Sequence, residues 1–150
     1  MEIRRARWVL LAVALASGCA GTNGGAPRET ADEPREDVVV QFTGASLSPP
    51  VARVRRGGDV AWLNNALGYT GVVFFPASIE DSFTCDELRP LLTKVPAGYR
   101  SELITSSVEK GRLPCPLKPG TYVYELRLFD VNFEGIDDPV RTLSGKIVVE

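Results

Sequence analysis

Gly57-Gly58-Asp59-Val60-Ala61-Trp62-Leu63-Asn64-Asn65, followed shortly by Gly71-Val72-Val73-Phe74-Phe75, is the stretch that decides the fold. Apolar side chains recur there at every second position or in a short unbroken run, with glycines in front and Pro76 behind. Period two is the repeat of a strand, and a run that is apolar on both faces belongs to a central one. Strands are therefore predicted over Asp59 to Leu63 and Gly71 to Phe75, and Pro76 stops the second because it has no amide to give a ladder. Working outward, Val38 to Phe42 and Val51 to Arg55 read as earlier strands, with Gly57-Gly58 as a tight hairpin turn into Asp59. Leu103 to Val108, Thr121 to Leu128 and Lys146 to Val149 read as later ones, with Lys118-Pro119-Gly120 as a turn. Ser78 to Thr93 differs: Asp81 or Ser82 is placed to cap a short helix through Cys85-Asp86-Glu87-Leu88, so a helical insertion is expected around 79–94. The whole reads as an all-β, two-sheet sandwich.

The N-terminal residues 1–18 have the form of an export signal, with Arg4, Arg5 and Arg7 ahead of a nine-residue apolar run from Trp8 to Ala16. That run is too short to span a bilayer as a helix. Ala16-Ser17-Gly18-Cys19 closes it in a way that resembles the lipobox of bacterial lipoproteins, which implies a diacylglyceryl thioether on Cys19 and a membrane anchor of two acyl chains. Leu15 lies one residue early for that motif, and cleavage after Ala14-Leu15-Ala16 with simple secretion is the alternative. Cysteine arithmetic favours lipidation: of three cysteines, Cys19 would be used by lipid, leaving Cys85 and Cys115 to form a structural disulfide in an oxidising compartment. Ala20 is not the aspartate of inner-membrane retention, so an outer-membrane location facing the periplasm is expected. Residues 19–37 hold Gly, Pro and charges without a large apolar side chain and read as a flexible tether. Residues 38–150 are enough for one domain with one core.

The chain contains no histidine. Ser-His-Asp and Cys-His nucleophile systems, and histidine-held zinc or copper, are thereby excluded in their usual form. Without residues 1–18 the chain carries 14 Lys and Arg against 18 Asp and Glu, a net charge of −4. A mildly acidic exported domain is a poor partner for nucleic acid.

The Gly58-Asp59-Val60-Ala61-Trp62-Leu63-Asn64 stretch, Pro119-Gly120-Thr121-Tyr122-Val123-Tyr124 and Leu143-Ser144-Gly145-Lys146-Ile147-Val148-Val149 resemble the strand motifs of cupredoxins, the plastocyanin and halocyanin type of blue-copper domain. The resemblance implies a cupredoxin-like Greek-key β-sandwich. It also locates the family's copper ligands, and none is present: Thr70 stands at the first histidine, Leu126 at the cysteine and Leu143 at the methionine, with no substitute for the second histidine. Alternation along 122–128 puts Tyr122, Tyr124, Leu126 and Leu128 on one face and Val123, Glu125 and Arg127 on the other. Leu126 is thus expected in the core, and no cofactor is expected.

Between the last two strands, Phe129 to Thr142 forms a long acidic stretch. Asp130-Val131-Asn132-Phe133-Glu134-Gly135 mimics the first half of a calcium loop, but Arg141 holds the twelfth place, where calcium needs a bidentate glutamate. Phe129, Asp130, Val131, Asn132, Phe133, Glu134, Asp137 and Asp138 are the candidate binding residues, since loops on a rigid sandwich are where recognition tends to lie. The sequence is thus read as a non-enzymatic, copper-free cupredoxin-like lipoprotein that binds a periplasmic protein or small ligand. Copper-dependent electron transfer or copper handling is the alternative drawn from the family. A carboxylate-driven hydrolase pairing Glu125 with Asp130 or Asp137 is a third reading.

Overall fold

The computed structural model describes residues 34–85, 92–105, 111–113, 115–132 and 138–150. Alternating side chains give eight strands: β1 (Arg35–Phe42), β2 (Leu47–Ser48), β3 (Val51–Asn64), β4 (Tyr69–Pro76), β5 (Leu92–Val95), β6 (Gly98–Ser101), β7 (Gly120–Asp130) and β8 (Arg141–Val149). They hydrogen-bond in the order β2-β1-β3-β8-β7-β4-β6-β5. The fold is all-β.

The expected hairpin at Gly57-Gly58 is not formed. Val51–Arg55 and Asp59–Leu63 belong to one strand that changes partners as it bends. Its first part runs parallel to β8, from Val51 opposite Lys146 to Val54 opposite Val149. Its second part runs parallel to β1, from Asp59 opposite Asp37 to Asn64 opposite Phe42. Gly57, at φ 84°, supplies a turn of the backbone that side chains rarely allow. At Gly58 a Cβ would run into the carbonyl oxygen of Glu36 on β1. A bend gives each half a neighbour in a different layer, which a tight reversal cannot. Gly58→Ala is accordingly expected to cost about 1–3 kcal/mol, the range for forcing an atom into a filled space. Urea denaturation checks this, and an unchanged midpoint would refute the close approach of β1.

The sheet folds over at β3 into a sandwich-like pair of layers. The part of β3 that pairs with β1 carries Trp62, whose ring lies edge-on to Tyr124 of β7 at 5.4 Å and to Phe75 of β4 at 6.1 Å. No ladder joins that part of β3 to β4 or β7, so these rings meet across the core. Val38, Val40 and Phe42 from β1 fill it from one side, and Val73, Leu126 and Ile147 from the other. Asn64, which ends β3, accepts from the Ala66 amide and donates to the Tyr69 carbonyl, fixing the turn into β4.

Several boundaries depart from the sequence reading. β1 takes in Arg35, Glu36 and Asp37, assigned above to the tether, because Asp37 accepts a hydrogen bond from the Asp59 amide and Arg35 pairs with Val54. The helical insertion expected around 79–94 is represented by a 3-10 helix, Ala77–Ser82, in which Asp81 and Ser82 form the end instead of a cap. Phe83 is extended and bridges Leu117, so the backbone bonds of this segment go to a neighbouring strand-like segment and not to a helix. Residues 86–88 of the expected helix lie outside the described residues, and Leu92 and Thr93 already belong to β5. In place of a strand from Leu103, Ile104 makes one isolated bridge to Gly71, and residues 106–108 lie outside the described residues. The β5–β6 hairpin was not foreseen.

Cys85 and Cys115 form a disulfide with their Cα atoms 6.0 Å apart. Beside it Thr84 donates its amide to Pro116, and Lys118 donates its amide to Ser82. The bridge thereby ties the segment after the 3-10 helix to the lead-in to β7.

Candidate functional site

Of the three positions aligned with copper ligands, two meet. Leu126 and Leu143 are direct partners across β7 and β8; Leu126 is 0% exposed and Leu143 packs on the core. Thr70 pairs with Phe129, and by alternation it stands on the opposite face of the sheet from Leu126. Among the described residues no group of three or more Cys, Asp or Glu is placed to hold a metal ion.

β7 continues to Asp130 and β8 begins at Arg141, so fewer residues separate the two strands than expected, because Arg127 and Leu128 continue the ladder to Thr142 and Arg141. Phe129 is therefore a strand residue, only 2% exposed and buried with Val72 on the outer face, which removes it from the candidate binding surface. Asp130 ends β7 and accepts from both the amide and the side chain of Asn132, so its carboxylate is committed to a turn. Asp138 is exposed, as is Val131, whose amide donates to Gly68 beside the 95% exposed Leu67. Phe133, Glu134 and Asp137 lie outside the described residues, as does Cys19. Glu125 and Asp130 point to opposite faces of β7, which separates the pair that a carboxylate mechanism would join.

A concave surface that the sequence reading missed lies on the outer face of β4, β7 and β8. It is a groove of about 610 Å³ between this face, the Pro50-Val51 lead-in to β3 and the β5–β6 turn at Ala97. The register builds it in rows. Val51, Lys146 and Val123 lie side by side, and Ser144, Glu125 and Phe74 form the next row. Val123 is 54% exposed, an apolar side chain among polar neighbours. The Arg127 guanidinium lies 4.0 Å from the centre of the Phe74 ring and donates through Nε and Nη2 to one oxygen of Glu125, at 3.2 and 2.9 Å. Each contact is worth about 1 kcal/mol or less at this exposure, but together they hold one wall in place. Lys146 forms no ion pair among the described residues.

No family model and no curated protein matches the chain. Among solved structures, the cysteine protease inhibitor EhICP2 from Entamoeba histolytica is similar at a TM-score of 0.39 and 16% identity, over 77% of this chain and 99% of that one. A likeness that distant bears on neither function nor topology.

Beneath the groove lies Tyr124, whose phenol ring occupies the place a Cβ on Gly145 would take. Its hydroxyl and the Trp62 Nε1 are buried and find no hydrogen-bond partner among the described residues. Burial pushes the Tyr124 hydroxyl up to about 12 from 10.0, and the nearby indole N–H opposes this more weakly. A raised folded-state pKa means stability that is complete below pH 10 and lost as pH rises through 12, since the unfolded chain releases the proton first. Two units correspond to roughly 2–3 kcal/mol. Denaturation at pH 9 and pH 11.5 should show Tyr124→Phe losing less stability than the wild type, and equal losses would contradict the buried hydroxyl.

Proposed function

We propose that this chain is a membrane-tethered, copper-free cupredoxin-like lipoprotein whose domain is a non-catalytic binding module, with the outer face of β4, β7 and β8 as its binding surface. The groove carries the reading. Its volume is in the range of small-ligand sites, and its lining is mostly apolar with a few placed polar groups, which is the usual make-up of such sites. Support for the Greek-key assignment is that the Gly58–Asn64 motif runs in β3, the Pro119-Gly120 motif opens β7, and the Leu143–Val149 motif lies in β8, hydrogen-bonded to β7. Support for a copper-free core is the pair of leucines, Leu126 and Leu143, facing each other at two ligand positions. Attachment through Cys19 rests on the Ala16-Ser17-Gly18-Cys19 motif and on the pairing of the other two cysteines.

Native mass spectrometry of the processed protein tests all parts at once. The expected result is an acylated chain beginning at Cys19, no copper, and a small organic mass that Val123→Arg abolishes. Stoichiometric copper would overturn the copper-free reading, an unacylated chain beginning elsewhere would overturn the tether, and a retained mass indifferent to Val123→Arg would move the binding surface away from this groove.

A further inference from the structure

The charges lining the groove are unequal in a way that selects a ligand. Arg127 and Glu125 neutralise each other across two hydrogen bonds, and the guanidinium is further held against Phe74. Lys146 is left as one uncompensated positive charge, because no carboxylate among the described residues pairs with it. Its place in the register matters as much as its charge. Lys146 lies directly between Val51 and Val123 on one row of the sheet, so its ammonium rises from the apolar part of the groove and not from a polar rim. Ser144, two residues earlier on the same face, adds a hydroxyl beside Glu125. Phe74, Val51 and Val123 supply a hydrocarbon floor.

We infer that the groove takes an amphipathic monocarboxylate, with its charge on the Lys146 ammonium and its hydrocarbon body along Val123, Phe74 and Val51. This rests on the reading of the groove as the binding surface and adds the chemistry of what occupies it. A dianion such as a phosphate monoester would need a second free cation, and Arg127 is already committed to Glu125. A cation would meet Lys146 as a like charge. A neutral hydrocarbon would gain the floor but leave the ammonium without a counter-charge in a less hydrated place than open solvent. One anionic group at one end of an apolar body satisfies both parts.

Isothermal titration of the full processed protein with decanoate, decanol and decylamine, the two ions kept below their micellar concentrations and decanol below its solubility limit, tests the inference. Decanoate is expected to bind about two- to fivefold more tightly than decanol, as an ion pair at an exposed ammonium implies, and decylamine more weakly than either. Lys146→Gln should remove the preference for decanoate while leaving decanol within about twofold, and Val123→Ser should weaken both. Lys146 is exposed, so its substitution leaves the fold intact, which a thermal melt verifies. Decanol binding as well as decanoate, with Val123→Ser still weakening both, would overturn the carboxylate assignment and leave the groove as a binding surface. No binding of any of the three, or binding unmoved by Val123→Ser, would overturn the assignment together with the groove.

Discussion

Trp62→Ala is expected to cost about 3–5 kcal/mol, the range for removing a large buried aromatic side chain. Trp62 is 2% exposed and touches Phe75 and Tyr124 edge-on from the other layer, so the indole is what the two layers share. A domain of this size is stable by about 5–15 kcal/mol in total, and the variant would stand near the edge of folding at 37 °C. Trp62→Phe separates shape from chemistry. It keeps a ring in the gap and removes a buried Nε1 that has no partner among the described residues, so it should cost clearly less than alanine. The measurement is urea denaturation followed by far-ultraviolet circular dichroism, because Trp62 is the one tryptophan in residues 19–150 and its substitution removes the fluorescent probe of the domain. A loss below about 1 kcal/mol for alanine would mean that the layers are not joined through this ring.

What the sequence made legible, and what it did not, divides along the line between local and distant causes. The two faces of β7 were readable from alternation alone: Tyr124, Leu126 and Leu128 are buried, and Val123 and Glu125 are exposed. Pleating sets that pattern within a single strand, so nothing distant is needed to know it. The disulfide was readable by counting. The bend at Gly57-Gly58 was not, because a pair of glycines between two apolar runs suits a hairpin as well as a bend. Which of them forms depends on β1 and β8 arriving alongside, and β8 lies about ninety residues away in the chain. Phe129 was misplaced for a similar reason: only the ladder from Arg127 and Leu128 to Thr142 and Arg141 shows that it belongs to a strand.

The groove shows the same limit at the level of function. Val51, Phe74, Val123 and Lys146 come from four different strands, and no spacing between them in the chain marks a site. The one local signal was Val123, an aliphatic residue on the face of β7 otherwise occupied by Glu125 and Arg127. An isolated exposed valine is ordinary on a protein surface. It gains meaning from the row it shares with Val51 and Lys146, and that row exists only after β3 and β8 have paired.

Opening the Cys85–Cys115 bridge is expected to cost roughly 3.5 kcal/mol, from the entropy of a closed loop with a sequence separation of 30. At about 4–8 °C per kcal/mol for a domain near 100 residues, Tm should fall by roughly 14–28 °C. The segment enclosed by the bridge contains the β5–β6 hairpin, whose Leu92 and Tyr99 reach the core, so a longer unfolded loop is what the reduced chain regains. The paired segments would still hold their backbone bonds, Thr84 to Pro116 and Lys118 to Ser82, so the reduced protein should unfold at a lower temperature and not lose its fold outright. Thermal unfolding of the wild type and of the Cys85→Ala, Cys115→Ala double variant, each with and without reductant, separates the contributions. The wild type should shift on reduction, and the double variant should melt low in both conditions. Cys115 is 1% exposed, so reduction of the wild type should be slow below the transition and fast within it. If reductant left the wild-type Tm where it was while the double variant matched it, the bridge would be contributing nothing to stability, and the segment between the two cysteines would be held by the packing of its own Leu92, Tyr99 and Ile104 into the core.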